Sequence, residues 1–125
     1  MATVLVIEDD STILENTLEL LELEGFSVIG ATNGMDGLQQ AIDRLPDVII
    51  CDVMMPLLDG YGVLREIRAN PVTSGIPLIF VSATPREEIL AISTKLGVSD
   101  YLIKPFRATD LLRIVRKQIG NHAAQ

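Results

Sequence analysis

The chain has 125 residues, 48% of them hydrophobic and 22% charged, which suits one globular domain with a sizeable core and excludes a disordered tract. A formal net charge of −7 argues against a dedicated nucleic-acid binder, which needs cationic surface to neutralise phosphates. No apolar run is long enough to span a bilayer, the opening MATVLVIEDD meets acids at once and is no signal peptide, and the single cysteine, Cys51, forms no intramolecular disulfide and fits a reducing, cytoplasmic setting.

Short apolar, β-branched runs then alternate with segments of helical period. TVLVI (3–7) reads as a first strand and ends in three acids, Glu8, Asp9 and Asp10. Leu14, Leu18 and Leu21 follow at helical spacing, with Gly25 placed for a left-handed residue after the helix. FSVIG (26–30) is the second strand. Asn33 is an N-cap with Asp36 in the first turn, and Leu38, Ala41, Ile42 and Leu45 form the apolar face of a second helix. DVIIC (47–51) suits a strand buried on both faces, with Cys51 a small core residue and Asp52 at the tip.

Asp59-Gly60 opens a third helix, less clearly marked than the others. PLIFV (77–81) is a fourth strand, ending in Ser82-Ala83-Thr84. Thr84-Pro85-Arg86-Glu87 reads as N-cap, N1 proline and capping-box glutamate, ahead of an apolar stripe of Ile89, Ile92 and Leu96 and a closing Gly97. DYLIK (100–104) is the fifth strand, and Leu111, Ile114 and Val115 mark the last helix.

Strand and helix thus alternate five times with no linker between them, so residues 1–125 are expected to form a single domain. This order predicts a doubly wound, parallel α/β sheet of flavodoxin-like strand order 2-1-3-4-5, with its site at the carboxyl ends of the strands. Those ends bring together Glu8, Asp9, Asp10, Asp52, Ser82 and Lys104. Gathered carboxylates need a cation; Lys104 supplies one charge, and a hard divalent ion such as Mg2+ supplies two and takes oxygen ligands. One cysteine and a lone histidine, His122, in the tail do not make a transition-metal site. A carboxylate beside a metal, with hydroxyl and ammonium donors opposite, suits phosphoryl transfer through an aspartyl phosphate.

The motifs VLVIEDDS, DVIICDVMMPLLDG, PLIFVSAT and DYLIKPF, in this order, resemble the receiver domain of two-component response regulators of the chemotaxis-regulator type, over about residues 3 to 119. The resemblance implies that Asp52 is the phosphoacceptor, that Asp9 binds Mg2+ directly with Glu8 acting through water, and that Met54 gives the metal its backbone carbonyl. It implies that Ser82 and Lys104 engage the phosphoryl group, that Lys104-Pro105 is a cis bond, and that Tyr101 is an aromatic switch. Met54 departs from the often polar residue of the family, and its side chain is expected to shield the acyl phosphate from water. Asp10, one past the acidic pair, could instead cap the first helix.

The implied function is a signalling switch, with no separate substrate turned over. A histidine kinase or phosphotransfer protein donates to Asp52, and the surface of the fourth helix, fifth strand and fifth helix changes for a protein partner; neither nucleic acid nor membrane is bound directly. A phosphorylation-independent pseudo-receiver is the alternative, and it usually lacks an acid, the acceptor or the lysine. An aspartyl-phosphate phosphatase would place a second Asp two residues after the nucleophile, where this chain has Met54. The glutamates Glu15, Glu19 and Glu22 form one helical stripe, read either as a docking face for the kinase's phosphotransfer domain or, preferred, as the partner of Arg113, Arg116 and Lys117.

Overall fold

Strand and helix alternate five times through residues 1–123, the part that the computed structural model describes. The elements are β1 (Thr3–Ile7), α1 (Ser11–Leu23), β2 (Ser27–Ala31), α2 (Gly34–Arg44), β3 (Val48–Asp52), α3 (Gly60–Ala69), β4 (Leu78–Ser82), α4 (Arg86–Leu96), β5 (Asp100–Ile103) and α5 (Ala108–Ala123). All strand pairs are parallel, in the order β2-β1-β3-β4-β5. This is the predicted flavodoxin-like order. Among the described residues, no helix is long and apolar enough to cross a membrane.

The alternation of side chains along each strand divides the core in two. Leu5, Ile7, Ile49, Cys51 and Phe80 pack with Ala41, Val63, Leu64, Ile67 and Ile89 on one face. Val4, Val6, Val48, Ile50, Ile79 and Val81 pack with Leu14, Leu21, Leu111 and Val115 on the other. β3, central and covered by helices on both sides, is buried at all five positions, which is why its sequence shows no polar alternation.

Several boundaries differ from the sequence reading. β2, β3 and β4 each run one residue later than the apolar run that announced them. Ahead of β3, Asp47 instead ties the loop down: its carboxylate accepts the Thr3 N–H at 2.7 Å and its own N–H donates to the Thr3 carbonyl at 2.9 Å. The shift makes Asp52 the last residue of β3 and Ser82 the last of β4. Leu45, expected on the buried face of the second helix, is instead its left-handed C-cap (φ 46°) and is exposed. Pro46 explains this, because its ring disfavours the right-handed helical region for the residue before it. Ile92 is also exposed, since α4 lies over the edge of the sheet and only a narrow strip around Ile89 meets the core. The expected caps at Asn33 and Asp59 are present, accepting from Asp36 N–H at 2.7 Å and Gly62 N–H at 2.8 Å, and Gly25 and Gly97 have the expected positive φ.

Candidate functional site

Parallel register aligns the carboxyl ends of the strands. Ile7 lies beside Cys51, Asp52 beside Val81, and Ser82 beside Ile103, so the residues at or just past these positions share one crevice. The turn after β3 folds back on itself: Gly60 N–H donates to the Val53 carbonyl at 2.8 Å. Gly60 passes so close that a Cβ there would collide with the Asp52 carbonyl oxygen and lie 2.7 Å from Val53 Cα. This close approach fixes the strand end that presents the Asp52 carboxylate.

Lys104 sits between two buried acids. Its Nζ donates to Glu8 Oε1 at 2.7 Å and to Asp52 Oδ2 at 3.2 Å. Its own backbone N–H donates to the Ser82 carbonyl at 2.8 Å, and the Lys104–Pro105 bond is cis, as expected. Asp52 Oδ1 accepts the Met54 N–H at 3.2 Å, and Glu8 Oε2 accepts the Asp10 N–H at 3.2 Å. Burial by itself would lower the Lys104 pKa; the Glu8 hydrogen bond and the charges of Asp52 and Glu8 outweigh it, and the net shift is upward.

Asp9 stands at the exposed mouth of the crevice. Carboxylate oxygens of Glu8, Asp9 and Asp52 lie within 4.8 Å of one another. Two like charges roughly 5 Å apart repel by about 3 kcal/mol at an effective dielectric near 20, and one lysine cannot neutralise three acids. The Asp9 pKa is raised accordingly, first by desolvation, then by the hydrogen bond and charge of Glu8. An all-oxygen, charge-deficient cluster of this kind fits a hard divalent cation. Asp10 stands apart from it as the N-cap of α1, accepting Thr12 N–H at 3.0 Å and Ile13 N–H at 3.1 Å.

Ser82 is in the crevice but turned from Asp52. Its buried Oγ accepts the Thr84 N–H at 3.1 Å and shares a hydrogen bond with the Thr84 hydroxyl at 2.9 Å. The capping box expected at Thr84 and Glu87 is absent, and the Thr84 N–H that would bond the Glu87 carboxylate is held by Ser82 instead. α4 starts at Arg86, and the Pro85 carbonyl accepts the N–H of both Glu88 and Ile89 at 3.1 Å. Met54 places its N–H on Asp52 and leaves its side chain 69% exposed. Tyr101 is half-buried against the core, its ring 5.8 Å from the Arg86 guanidinium. Cys51 is buried, and desolvation followed by the nearby Asp52 and Glu8 charges pushes its thiol pKa well up.

The preferred pairing of the α1 glutamates with α5 is not what the structure shows. Arg116 binds Glu24 at 2.9 Å, Arg113 approaches Asp110 at 3.8 Å and Lys117 approaches Asp100 at 3.9 Å. Among the described residues, Glu15, Glu19 and Glu22 make no ion pair. The reason is rotational: Leu18, flanked on the helix by Glu15 and Glu22, packs at Gly30 of β2, so the stripe faces away from α5. The side chain of His122 lies outside the described residues.

Sequence reasoning missed two contributors. The Gly60 approach had only a helix-start signal. Arg68 had none: it spans from α3 to the carbonyls of Gly97 (2.9 Å), Ser74 (3.1 Å) and Ile76 (2.6 Å), anchoring the end of α4.

The model of the response regulator receiver domain matches residues 4–116. Protein PilH of Pseudomonas aeruginosa is 34% identical over 115 residues, which cover 92% of this chain and 95% of PilH. The transcriptional regulatory protein PrrA of Mycobacterium tuberculosis is 35% identical over 113 residues, 90% of this chain but 48% of PrrA, so the chain spans about half of that protein. A response regulator receiver domain from Clostridium thermocellum superposes with a TM-score of 0.92 at 33% identity, covering 99% of this chain and 98% of that one. The receiver domain of a Pseudomonas aeruginosa sensor histidine kinase, solved with a magnesium ion in its active-site cleft, superposes with a TM-score of 0.87 at 30% identity, covering 95% and 98%.

Proposed function

The chain belongs to the response regulator receiver family and is a receiver domain of the two-component type, and from that premise we propose that it is a switch thrown by phosphorylation of Asp52. One observation carries the assignment: Asp52 is a strand-end carboxylate held by Lys104 at 3.2 Å and crowded by Glu8 and Asp9. The donor is the phosphohistidine of a histidine kinase or phosphotransfer protein. A carboxylate oxygen of Asp52 attacks phosphorus, the phosphorus–nitrogen bond breaks, and the imidazole leaves with the electron pair.

Asp9, Asp52 and the Met54 carbonyl are the residues we assign to Mg2+, with Glu8 acting through water. When bound, the ion supplies charge neutralisation for the phosphoryl oxygens. Lys104 exchanges its Asp52 bond for a phosphoryl oxygen, and the Ser82 hydroxyl turns to donate to another. The phosphoryl group adds up to about two negative charges and new acceptor oxygens, which favour the turned state. Tyr101 follows inward, and the face of α4, β5 and α5 changes for a downstream protein. The pseudo-receiver alternative has no observation in its favour, since acceptor, acids and lysine are all present and gathered at one crevice.

Intact mass after treatment with acetyl phosphate tests the assignment. One added phosphoryl group is expected with Mg2+, and none without it or in Asp52→Asn. A phosphoryl group that persists in Asp52→Asn overturns the role of Asp52.

A further inference from the structure

The segment Ser82–Glu87 holds two incompatible hydrogen-bond schemes. In the first, which the structure shows, Ser82 Oγ takes the Thr84 N–H at 3.1 Å and bonds the Thr84 hydroxyl at 2.9 Å. In the second, written in the sequence Thr84-Pro85-Arg86-Glu87, the Thr84 hydroxyl accepts the Glu87 N–H and the Glu87 carboxylate accepts the Thr84 N–H. The schemes compete for the single Thr84 N–H, which Ser82 holds; the Thr84 hydroxyl, with one proton to give and two lone pairs to accept with, can serve both.

The second scheme is locally ready. Glu87 is exposed, and among the described residues neither its N–H nor its carboxylate has a hydrogen-bond partner. Pro85 falls at the first helical position of the box, where its missing N–H costs nothing and its fixed φ suits the helix. Ser82 withholds the Thr84 N–H that the box needs. With Thr84 engaged there, α4 starts one residue later and gathers two N–H groups on the Pro85 carbonyl.

We propose that Ser82 and Glu87 compete for Thr84, and that phosphorylation passes Thr84 from Ser82 to Glu87, so that α4 gains its N-terminal cap as Ser82 leaves. The inference rests on the reading that Ser82 turns toward a phosphoryl group on Asp52. Once it turns, the half-buried Thr84 loses the acceptor of its N–H and the partner of its hydroxyl. A released N–H and hydroxyl beside an uncapped helix favour the box, since each buried polar group left without a partner is costly. Thr84 is then a positioning residue: it holds Ser82 away from Asp52 in one state and α4 in its lengthened form in the other. The device couples chemistry at β3 to α4 without any movement of the core. α4 is poised for such a change, with Ile89 its one fully buried anchor among the described residues and the Arg68 hydrogen bond to Gly97 holding its far end.

Backbone amide exchange, read by nuclear magnetic resonance in Mg2+ and excess acetyl phosphate, tests the exchange of partners, with intact mass recorded on the same samples. In the phosphorylated protein the Glu87 amide should exchange about five- to tenfold more slowly than in the resting protein. Thr84→Ser should keep that protection and Thr84→Val should lose it. Glu87→Gln should keep the Thr84 amide protected after phosphorylation, whereas Glu87→Ala should expose it while still taking up the phosphoryl group. A phosphoryl group in the mass spectrum with unchanged Glu87 exchange overturns the cap exchange and leaves Asp52 phosphorylation standing. No mass gain at all overturns the phosphorylation reading, and the exchange with it.

Discussion

The Nζ of Lys104 lies 2.7 Å from Glu8, half an ångström nearer than the 3.2 Å that separates it from Asp52. In the resting molecule the lysine is therefore held mainly by an acid that is not the acceptor. Its removal should leave Glu8 and Asp52 buried with no positive partner. We expect Lys104→Met to lose about 1–3 kcal/mol of stability by urea denaturation. Mg2+ should then raise the melting temperature of the variant more than that of the parent; equal shifts would argue that the ion does not share the lysine's task. The pH dependence has a definite sign. The Lys104 pKa is raised above its ordinary 10.5, so its contribution is complete below that value and is lost only as pH climbs through the higher folded value.

Gly60 offers a second test. The obstacle to a side chain there is one peptide unit of backbone, the Asp52 carbonyl and the Val53 Cα bonded to it, and it cannot swing away. Gly60→Ala should cost about 2–3 kcal/mol and weaken Mg2+ binding, because relief requires the Asp52 strand end to move. Wild-type stability and metal affinity in this variant, measured by denaturation and metal titration, would remove Gly60 from the site's support.

Arg68 should matter for geometry more than for charge. Its guanidinium reaches three carbonyls and has no carboxylate partner among the described residues, and burial lowers its pKa. Arg68→Ala should cost about 1–3 kcal/mol, chiefly by leaving the part-buried Ile76 carbonyl unpaired. Arg68→Lys should recover less than half of that, since an ammonium cannot reproduce the planar fork. Full recovery by lysine in urea denaturation would show that charge alone was needed.

Met54 should govern persistence and leave stability alone. Met54 is 69% exposed and belongs to neither core cluster, so Met54→Asn should stay within about 0.5 kcal/mol of the parent. If the thioether shields the acyl phosphate, the phosphorylated variant should decay roughly threefold faster or more, a barrier change under about 1 kcal/mol at the threefold limit. Equal decay rates, followed by loss of the phosphoryl mass, would sink the shielding role.

The alternating strand and helix periods, the strand order and the chemistry-bearing residues at the strand ends were all legible in the chain. They are local or nearly so: five apolar runs name the strands, four helical periods and one helix-start signal call for parallel crossovers, and parallel strands put Glu8, Asp52, Ser82 and Lys104 at one end. The cap at Asn33 was legible too, and the one at Asp59 less clearly, because an N-cap needs only the N–H groups two or three residues ahead.

Readings failed where a distant group or a neighbouring ring decided the outcome. Leu45 had the helical spacing, and Pro46 ended the helix before it. Arg116 had three glutamates to choose from on α1, and the rotation of that helix gave it Glu24 instead. Arg68 reads as an ordinary surface cation until the chain brings Gly97, 29 residues away, to its Nε.

By itself, then, the sequence determined which residues stand at the crevice, since pleat, period and crossover handedness leave them no other place. Only the tertiary structure decided how they are paired: Lys104 on Glu8 in preference to Asp52, and Thr84 on Ser82 in place of Glu87. The physical reason is the same in both cases. A hydrogen-bonding group has few partners within reach, and which one it takes depends on distances of a few tenths of an ångström set by the packing of the whole sheet.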